Sequence, residues 1–297
     1  MILAAIDIGS NAVRLLINDV TVYEDGKADF TKLTLLRIPL RLGFDVFKNG
    51  VIAKKKKQKL IDTIKIYKLL MDVYEVEDYR ACATSAMRDA SNGFDIIKEI
   101  KKETGIDIKL ITGHEEADII YETHIAENLN EDSSYLYIDV GGGSTEVTLF
   151  SKNQTIFKES FNIGTIRLIN DAVTEEQWNH VKQFIKKETK NYRPLKAIGS
   201  GGNINKTFSI SKTKEGRALS IQLLKDYYKE LSMYSLEERK HVYNLRADRA
   251  DVIVPALNIY ISIMRWAGAD RIFVPKIGLA DGLIKMMYQE YLEGEQK

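Results

Sequence analysis

A single cysteine, Cys82, stands in 297 residues. One thiol excludes an intrachain disulfide and fits a reducing, cytoplasmic setting. Its strand-like surroundings make Cys82 an expected core residue. The four histidines, His114, His124, His180 and His241, lack the spacing of a zinc site. Only 4 prolines are present, which argues against long rigid linkers. No apolar run reaches membrane-spanning length, and no leader pattern precedes the first strand. Charge of one sign is also missing: 43 Lys and Arg face 42 Asp and Glu. Without a net field, bulk electrostatics point to neither nucleic acid nor a membrane surface. What remains is the composition of a globular protein, 44% hydrophobic and 29% charged, long enough for two domains.

Two stretches organise the chain. Tyr135–Val140 reads as a strand rich in aromatic and β-branched residues, and Glu146–Phe150 reads as a second. Gly141-Gly142-Gly143-Ser144-Thr145 lies between them. Three glycines permit positive φ and close backbone approach to a ligand. Successive amides in such a turn can line an anion-binding concavity. Asp139 sits at its lip, where a carboxylate can hold a divalent cation beside a phosphate. Ile6–Ile17 repeats the pattern: Asp7 and Gly9 align with Asp139 and Gly141, 132 residues apart. One copy alone is as readily a plain tight turn; two copies predict similar halves that grip a phosphate between their turns.

The remaining elements alternate. Strands are expected at Thr31–Leu42, Tyr79–Thr84, Ile106–Ile111, Gln154–Phe161, Leu195–Ile198 and Ile272–Val274. Helices are expected at Lys54–Tyr74, after Asn92-Gly93, after Gly113 (with Ile119, Ile120, Tyr121 and Ile125), after Thr174, after Ser235, from Arg249 and at Gly278–Tyr291. Ser85–Ala90 reads as a loop. Thr174–Gln177 and Ser235–Glu238 have the capping-box pattern, and Gly105 is placed for a left-handed cap. Lys54–Lys57 suits a solvated helix face, with polyanion steering as the alternative. The pattern predicts an α/β fold with a first domain over residues 1–124 and a second over 125–280. The C-terminal helix, residues 281–297, is expected to return to the first.

Six segments in this order resemble one family. They are the Asp7 hairpin, Thr84–Ala90 with Arg88, Gly113–Ala117, the Asp139 hairpin, Gly164–Leu168 and Gly199–Gly202. Together they are similar to the exopolyphosphatase / guanosine pentaphosphate phosphohydrolase (Ppx/GppA) family of the actin-like ATPase superfamily. The resemblance implies two ribonuclease-H-like domains, an interdomain active-site cleft, Mg²⁺ or Mn²⁺, and release of terminal phosphate from inorganic polyphosphate. The alternatives are guanosine pentaphosphate as substrate, a non-catalytic sensor of guanosine penta/tetraphosphate or polyphosphate, and an actin-like small-molecule kinase. It also implies a homodimer, and a short two-domain form without C-terminal extensions.

Carried over by motif, Glu116 is the expected water-activating carboxylate. Asp139 is expected to bind the metal and place the water, with Asp7 and Glu146 as further metal ligands. Arg88 is expected to contact phosphate, where a bidentate guanidinium is suited. Backbone amides at Gly9, Ser10, Asn11, Gly141, Gly142, Gly143 and Ser144 are expected to cradle phosphate oxygens. Glu115 is expected only to complement the helix dipole, and Asp7 could instead cap its turn. Arg167 could contact phosphate or make a structural ion pair; Gly199–Gly202 could line the substrate path or form a tight turn. The chain departs from the family at Ala12, Arg14, Asn203, Pro255 and Pro275–Gly282. Ala280 stands where an arginine is usual, which weakens the expected grip on long chains.

Overall fold

A computed structural model describes residues 1–23, 27–121, 133–152, 154–275 and 277–295, apart from the side chains of Ile120, Tyr121 and Glu295. His124, Ile125 and the boundary expected at 124/125 lie outside those residues. Two compact units emerge, Met1–His124 with Gly278–Lys297, and Ile125–Ile277.

The first unit is built on β1 (Ile2–Ile8), β2 (Val13–Val22), β3 (Ala28–Ile38), β4 (Asp78–Ala83) and β5 (Lys109–Leu110). Their order is β3-β2-β1-β4-β5. The β1–β2–β3 meander is antiparallel, while β4 and β5 add in parallel. β1 is central and nearly all buried, as a strand covered on both faces must be. β3 stops at Ile38, short of the expected Leu42, because Pro39 follows and cannot donate to a ladder. Only two residues of the expected Ile106–Ile111 strand pair.

Even-numbered β1 side chains Ile6 and Ile8 join Val13, Leu15, Leu60, Ile64 and Tyr67 in one core. The helix Lys54–Val73 supplies that core with its apolar stripe. Two of its N-terminal lysines are tied down: Lys56 bonds Asp45 and the Arg41 carbonyl, and Lys57 bonds Glu99. The opposite face is covered by the C-terminal helix Leu279–Glu295. Ala280, Leu283, Ile284 and Met287 are buried there, so the small residue at 280 serves packing. Phe30 meets Tyr288 edge-on at 5.5 Å, and Lys32 pairs with Asp281 at 2.6 Å.

The second unit repeats the plan with β6 (Ser134–Val140), β7 (Thr145–Ser151), β8 (Gln154–Phe161), β9 (Leu195–Ser200), β10 (Leu219–Ser220) and β11 (Arg271–Phe273). The order is β10-β11-β9-β6-β7-β8. β8-β7-β6-β9-β11 thus matches β3-β2-β1-β4-β5, with β10 added antiparallel at the edge. The paired hairpins therefore occupy equivalent central positions in two ribonuclease-H-like sheets. Ile253–Ala267 is the most buried helix of this unit and packs Ala256, Leu257, Tyr260 and Ile263 into the core. Pro255 lies in its first turn, where no amide hydrogen is needed. Both expected capping boxes form, at Thr174–Gln177 and Ser235–Glu238. Among the described residues no helix is long and apolar enough to cross a membrane.

Gly282 fixes the seat of the C-terminal helix. A Cβ there would stand 2.5 Å from the Ile119 carbonyl oxygen. Gly282→Ala is expected to cost about 1–3 kcal/mol by overpacking, whereas Gly294→Ala, with nothing within 4 Å, should cost nothing measurable. Urea unfolding of the two variants checks this.

Candidate active site

In the first unit the expected residues gather at the carboxyl end of the parallel strands, where open α/β sheets carry their ligands. Asp7 ends β1 and is buried, at 4% exposure. It lies directly opposite Arg14 on β2 and Cys82 on β4. The Arg14 guanidinium pairs with the Asp7 carboxylate. A guanidinium thus supplies a counter-charge to the Asp7 carboxylate. Burial and then the Asp7 charge push the Cys82 thiol up to about 11, so Cys82 is a packed thiol and not a nucleophile.

The Gly9–Ala12 turn is closed by the Gly9 amide donating to the Ala12 carbonyl at 3.1 Å. The Gly9 amide is therefore engaged within its own turn. Ser10 is held by a 2.8 Å contact between its Oγ and Ser85 Oγ, and the Asn11 carbonyl accepts from the Arg41 amide. Ser85–Asp89 is a short helix rather than a loop. It carries Arg88, whose Nη1 donates to the Ile111 carbonyl at 2.7 Å. Arg88 thus braces the segment that leads into the Gly113–Tyr121 helix.

That helix begins with a reciprocal cap. The Thr112 hydroxyl accepts from the Glu115 amide, and the Glu115 carboxylate accepts from the Thr112 amide and hydroxyl. Lys109 adds an ion pair at 2.9 Å. Chiefly through the Thr112 amide, the Glu115 carboxyl falls to about 2. Glu115 is structural, as expected. Glu116 follows it in the first turn, half-buried, and its charge reaches Cys82 together with that of Asp7. Glu116, Asp7 and Arg88 therefore share one end of the first sheet.

In the second unit Asp139 ends β6, opposite Glu146 on β7 and Ser200 on β9. Asp139 and Glu146 are 9% and 1% exposed. Ser160 donates to Glu146 at 2.9 Å. The Gly141 amide closes the turn onto the Ser144 carbonyl, as the Gly9 amide does onto Ala12. Among the described residues the positive-φ glycines are Gly50, Gly105, Gly201, Gly216 and Gly268; Gly141, Gly142 and Gly143 are not among them. The turn needs its glycines for a different reason. Gly164 presses against it, and a Cβ at Gly164 would sit 2.5 Å from the Gly143 nitrogen.

The short helix Thr165–Ile169 then ties the turn's carbonyls. Gly141 accepts from the Thr165 amide, Gly142 from the Ile166 amide and Gly143 from Arg167 Nε at 2.7 Å. Arg167 is accordingly a brace on the turn. With the carbonyls engaged, the amides of Gly142, Gly143 and Ser144 donate to no backbone carbonyl among the described residues. They are the donors available to an anion.

Gly201, at φ +108, lies against the same carboxylate: a Cβ there would meet Asp139 Oδ1 and the Val140 carbonyl at 3.0 Å. Tyr260 buttresses this junction, donating to the Ser200 carbonyl and accepting from the Val140 amide. Burial and the Asp139 charge hold its hydroxyl well above the ordinary phenol value, so it stays a donor. The Gly199–Gly202 segment is a tight strand-to-helix turn, roofed by Arg249, which bonds Asn203 at 2.8 Å.

Asp139 and Glu146 place two buried carboxyl groups side by side on adjacent strands. Their hard oxygens suit Mg²⁺, which takes one or two carboxylates and completes its shell with water and substrate phosphate. Among the described residues no three His, Cys, Asp or Glu side chains cluster, so a protein-only cage does not fit. Sequence reasoning missed Thr112, Ser85, Ser160 and Tyr260. The Thr112-x-x-Glu115 pattern was a legible cap; the other three are brought in by register and packing, which leave no local signal.

The Ppx/GppA phosphatase family model matches residues 21–290. The chain is 30% identical over 294 residues to the bifunctional 3-dehydroquinate synthase/phosphatase of Fusobacterium nucleatum, covering 91% of this chain but 44% of that protein. It is 24% identical over 304 residues to exopolyphosphatase 1 of Mycobacterium tuberculosis, covering 96% of this chain and 87% of that one. The crystal structure of an exopolyphosphatase from Cytophaga hutchinsonii superposes with TM-score 0.84 at 26% identity, covering 98% of each chain.

Glu115 gives a pH test. Its folded-state value lies below the ordinary 4.5. The stabilisation is therefore present above about 4.5 and is lost as pH falls toward about 2. Glu115→Gln should unfold more easily than the parent at pH 7, and the gap should shrink by pH 2.5. Thermal melts at both pH values check it.

Proposed function

We propose, from the premise that the chain belongs to the Ppx/GppA phosphatase family, that it hydrolyses the terminal phosphoanhydride of inorganic polyphosphate. The observation that carries this reading is the second unit's turn. Its carbonyls are tied back onto the following helix and Arg167, and its Gly142, Gly143 and Ser144 amides donate to no backbone carbonyl among the described residues. The Asp139–Glu146 pair offers a seat for a divalent cation beside it. An anion site next to a cation site suits a metal-bound phosphate better than either charge alone.

Phosphoryl transfer asks for positioning and charge neutralisation more than covalent chemistry. In this reading the amides of Gly142, Gly143 and Ser144 hold the terminal phosphate. Arg88 supplies a guanidinium to its oxygens. Glu116 accepts the proton of the attacking water as the water oxygen bonds to phosphorus. The bond from phosphorus to the bridging oxygen breaks, and the shortened chain leaves with that oxygen and its electron pair. Mg²⁺ or Mn²⁺, held by Asp139 and Glu146, would neutralise phosphate charge. Asp7 is assigned no metal, because Arg14 already pairs with it.

Glu116→Gln is expected to lower phosphate release about 10²–10⁴-fold, the scale of a lost general base, without changing the melting temperature by more than a degree or two. Phosphate release unchanged in this variant removes Glu116 from the mechanism. Chelation should abolish release, and added Mg²⁺ should restore it in the parent but poorly in Asp139→Asn. The same assay run with guanosine pentaphosphate decides the substrate: release from polyphosphate should be the faster, and the reverse order would make guanosine pentaphosphate the substrate.

A further inference from the structure

The carboxylate pair of the second unit has a neighbour of another kind, Ser160 on β8. Its hydroxyl donates to Glu146 Oε1 at 2.9 Å. Asp139 stands directly opposite Glu146, and Glu146 directly opposite Ser160. Directly opposed residues of neighbouring strands project to the same face. The three side chains therefore form one row across β6, β7 and β8.

Ser160 enters that row through an irregularity. Ser151 pairs with Gln154 and Phe150 with Thr155, but Leu149 pairs with Phe157, so Ile156 is an extra residue in β8. Side chains alternate along a strand, and one inserted residue reverses every position beyond it. Without the insertion, the pairing at the hairpin end would continue to set Glu159 opposite Glu146. Like charges in that relation weaken strand pairing. Phe157 and Phe161 would also turn to the carboxylate face. Instead both meet Phe184 of the Glu175–Glu188 helix edge-on, at 5.2 and 5.5 Å. The two phenylalanines hold the shifted register from the core side, and Ser160 falls on the other.

The corresponding row of the first unit has different chemistry. Arg14 takes the place of Glu146 beside the aspartate, and Arg37 takes the place of Ser160. Positive charge is there supplied by the chain itself. In the second unit the row holds two carboxyl groups, 9% and 1% exposed, and a hydroxyl. A hydroxyl is neutral. It restrains a carboxylate oxygen without cancelling the charge that draws a cation, which a lysine or arginine at the same place would do.

We propose that Ser160 is a positioning residue for the divalent cation. The proposal rests on the reading above, in which Asp139 and Glu146 hold that cation. Mg²⁺ tolerates little departure from octahedral geometry, while glutamate is among the side chains with most rotamer freedom to lose. Hydrogen bonds from outside the ligand set hold ligating groups in place. With Oε1 tied to Ser160, the Glu146 carboxylate is restrained before the cation arrives. Ser160 acts through Glu146 and needs no contact with phosphate.

Ser160→Ala, Ser160→Thr and Asp139→Asn test this with the full chain. Mn²⁺ binding in the absence of substrate is read first, by water-proton relaxation. Kd should rise about tenfold in Ser160→Ala and stay within about threefold of the parent in Ser160→Thr, which keeps the hydroxyl. Asp139→Asn should bind Mn²⁺ far more weakly, which locates the site. With polyphosphate, the Mg²⁺ concentration for half-maximal phosphate release should rise about tenfold in Ser160→Ala, with the rate at saturating Mg²⁺ falling less than about threefold. A merely structural serine would lower the melting temperature in chelator and leave both cation readings unmoved. Mn²⁺ bound equally by parent and Ser160→Ala overturns the positioning role and leaves the hydrolytic reading standing. A parent that binds no Mn²⁺, or binds it no better than Asp139→Asn, overturns the cation seat and the role of Ser160 with it. A parent that binds Mn²⁺ through Ser160 yet releases no phosphate overturns the hydrolytic reading and leaves the role of Ser160 standing.

Discussion

The Asp139 carboxylate has a backbone for a neighbour. Gly201 leaves no room for a side chain, since its missing Cβ would meet Asp139 Oδ1 and the Val140 carbonyl at once. Positive φ at that position is open to glycine at little cost and to other residues only under strain. Two strand ends, β6 and β9, are thereby brought close enough for one tyrosine hydroxyl to bond both. The rest of the second unit's site follows. With β6 fixed, the Gly141–Ser144 turn must fold outward, and Gly164 packs against it. The Thr165–Ile169 helix then captures its carbonyls. The site is shaped by close backbone approach more than by side-chain chemistry.

That constraint separates what was legible in the chain from what was not. Asp7 and Asp139 were visible because a hairpin repeat keeps its residues adjacent in sequence. Both capping boxes and the Gly105 cap were visible for the same reason. Two similar halves followed from the spacing of the repeats; the ribonuclease-H-like class came with the family resemblance carried by six short segments. By contrast, the glycines of the second turn suggested positive φ, and the structure puts that conformation at Gly201 instead. Three glycines in a row say that Cβ atoms are unwelcome. They do not say whether the backbone's own dihedrals or an approaching neighbour is the reason, and in this turn it is Gly164.

Register was the other blind spot. Arg14 looked like an anomaly beside Ala12, but its meaning depends on standing opposite Asp7. Tyr260 lies on a helix so apolar that nothing marks its hydroxyl as a bridge. Ser160 reaches Glu146 only because β8 pairs with β7. Such partners are separated by 7 to 120 residues, and a local pattern carries no information about them. The irregularity in β3 belongs with these: Thr34 pairs with Ile17 but Lys32 with Asn18, so Leu33 is extra, and that one residue decides which side of the sheet Arg37 belongs to.

The discontinuity of the first unit has a consequence for biosynthesis. Its last element, Leu279–Glu295, covers one face of a sheet whose strands are all complete by Leu110. A chain made from its amino end exposes Leu3, Ala5 and Leu16 on that face throughout synthesis of the intervening unit. Folding during translation proceeds domain by domain in favourable cases; in this chain the later unit can close before the earlier one. The apolar face of the nascent first sheet then stays uncovered until Leu279–Glu295 has been made.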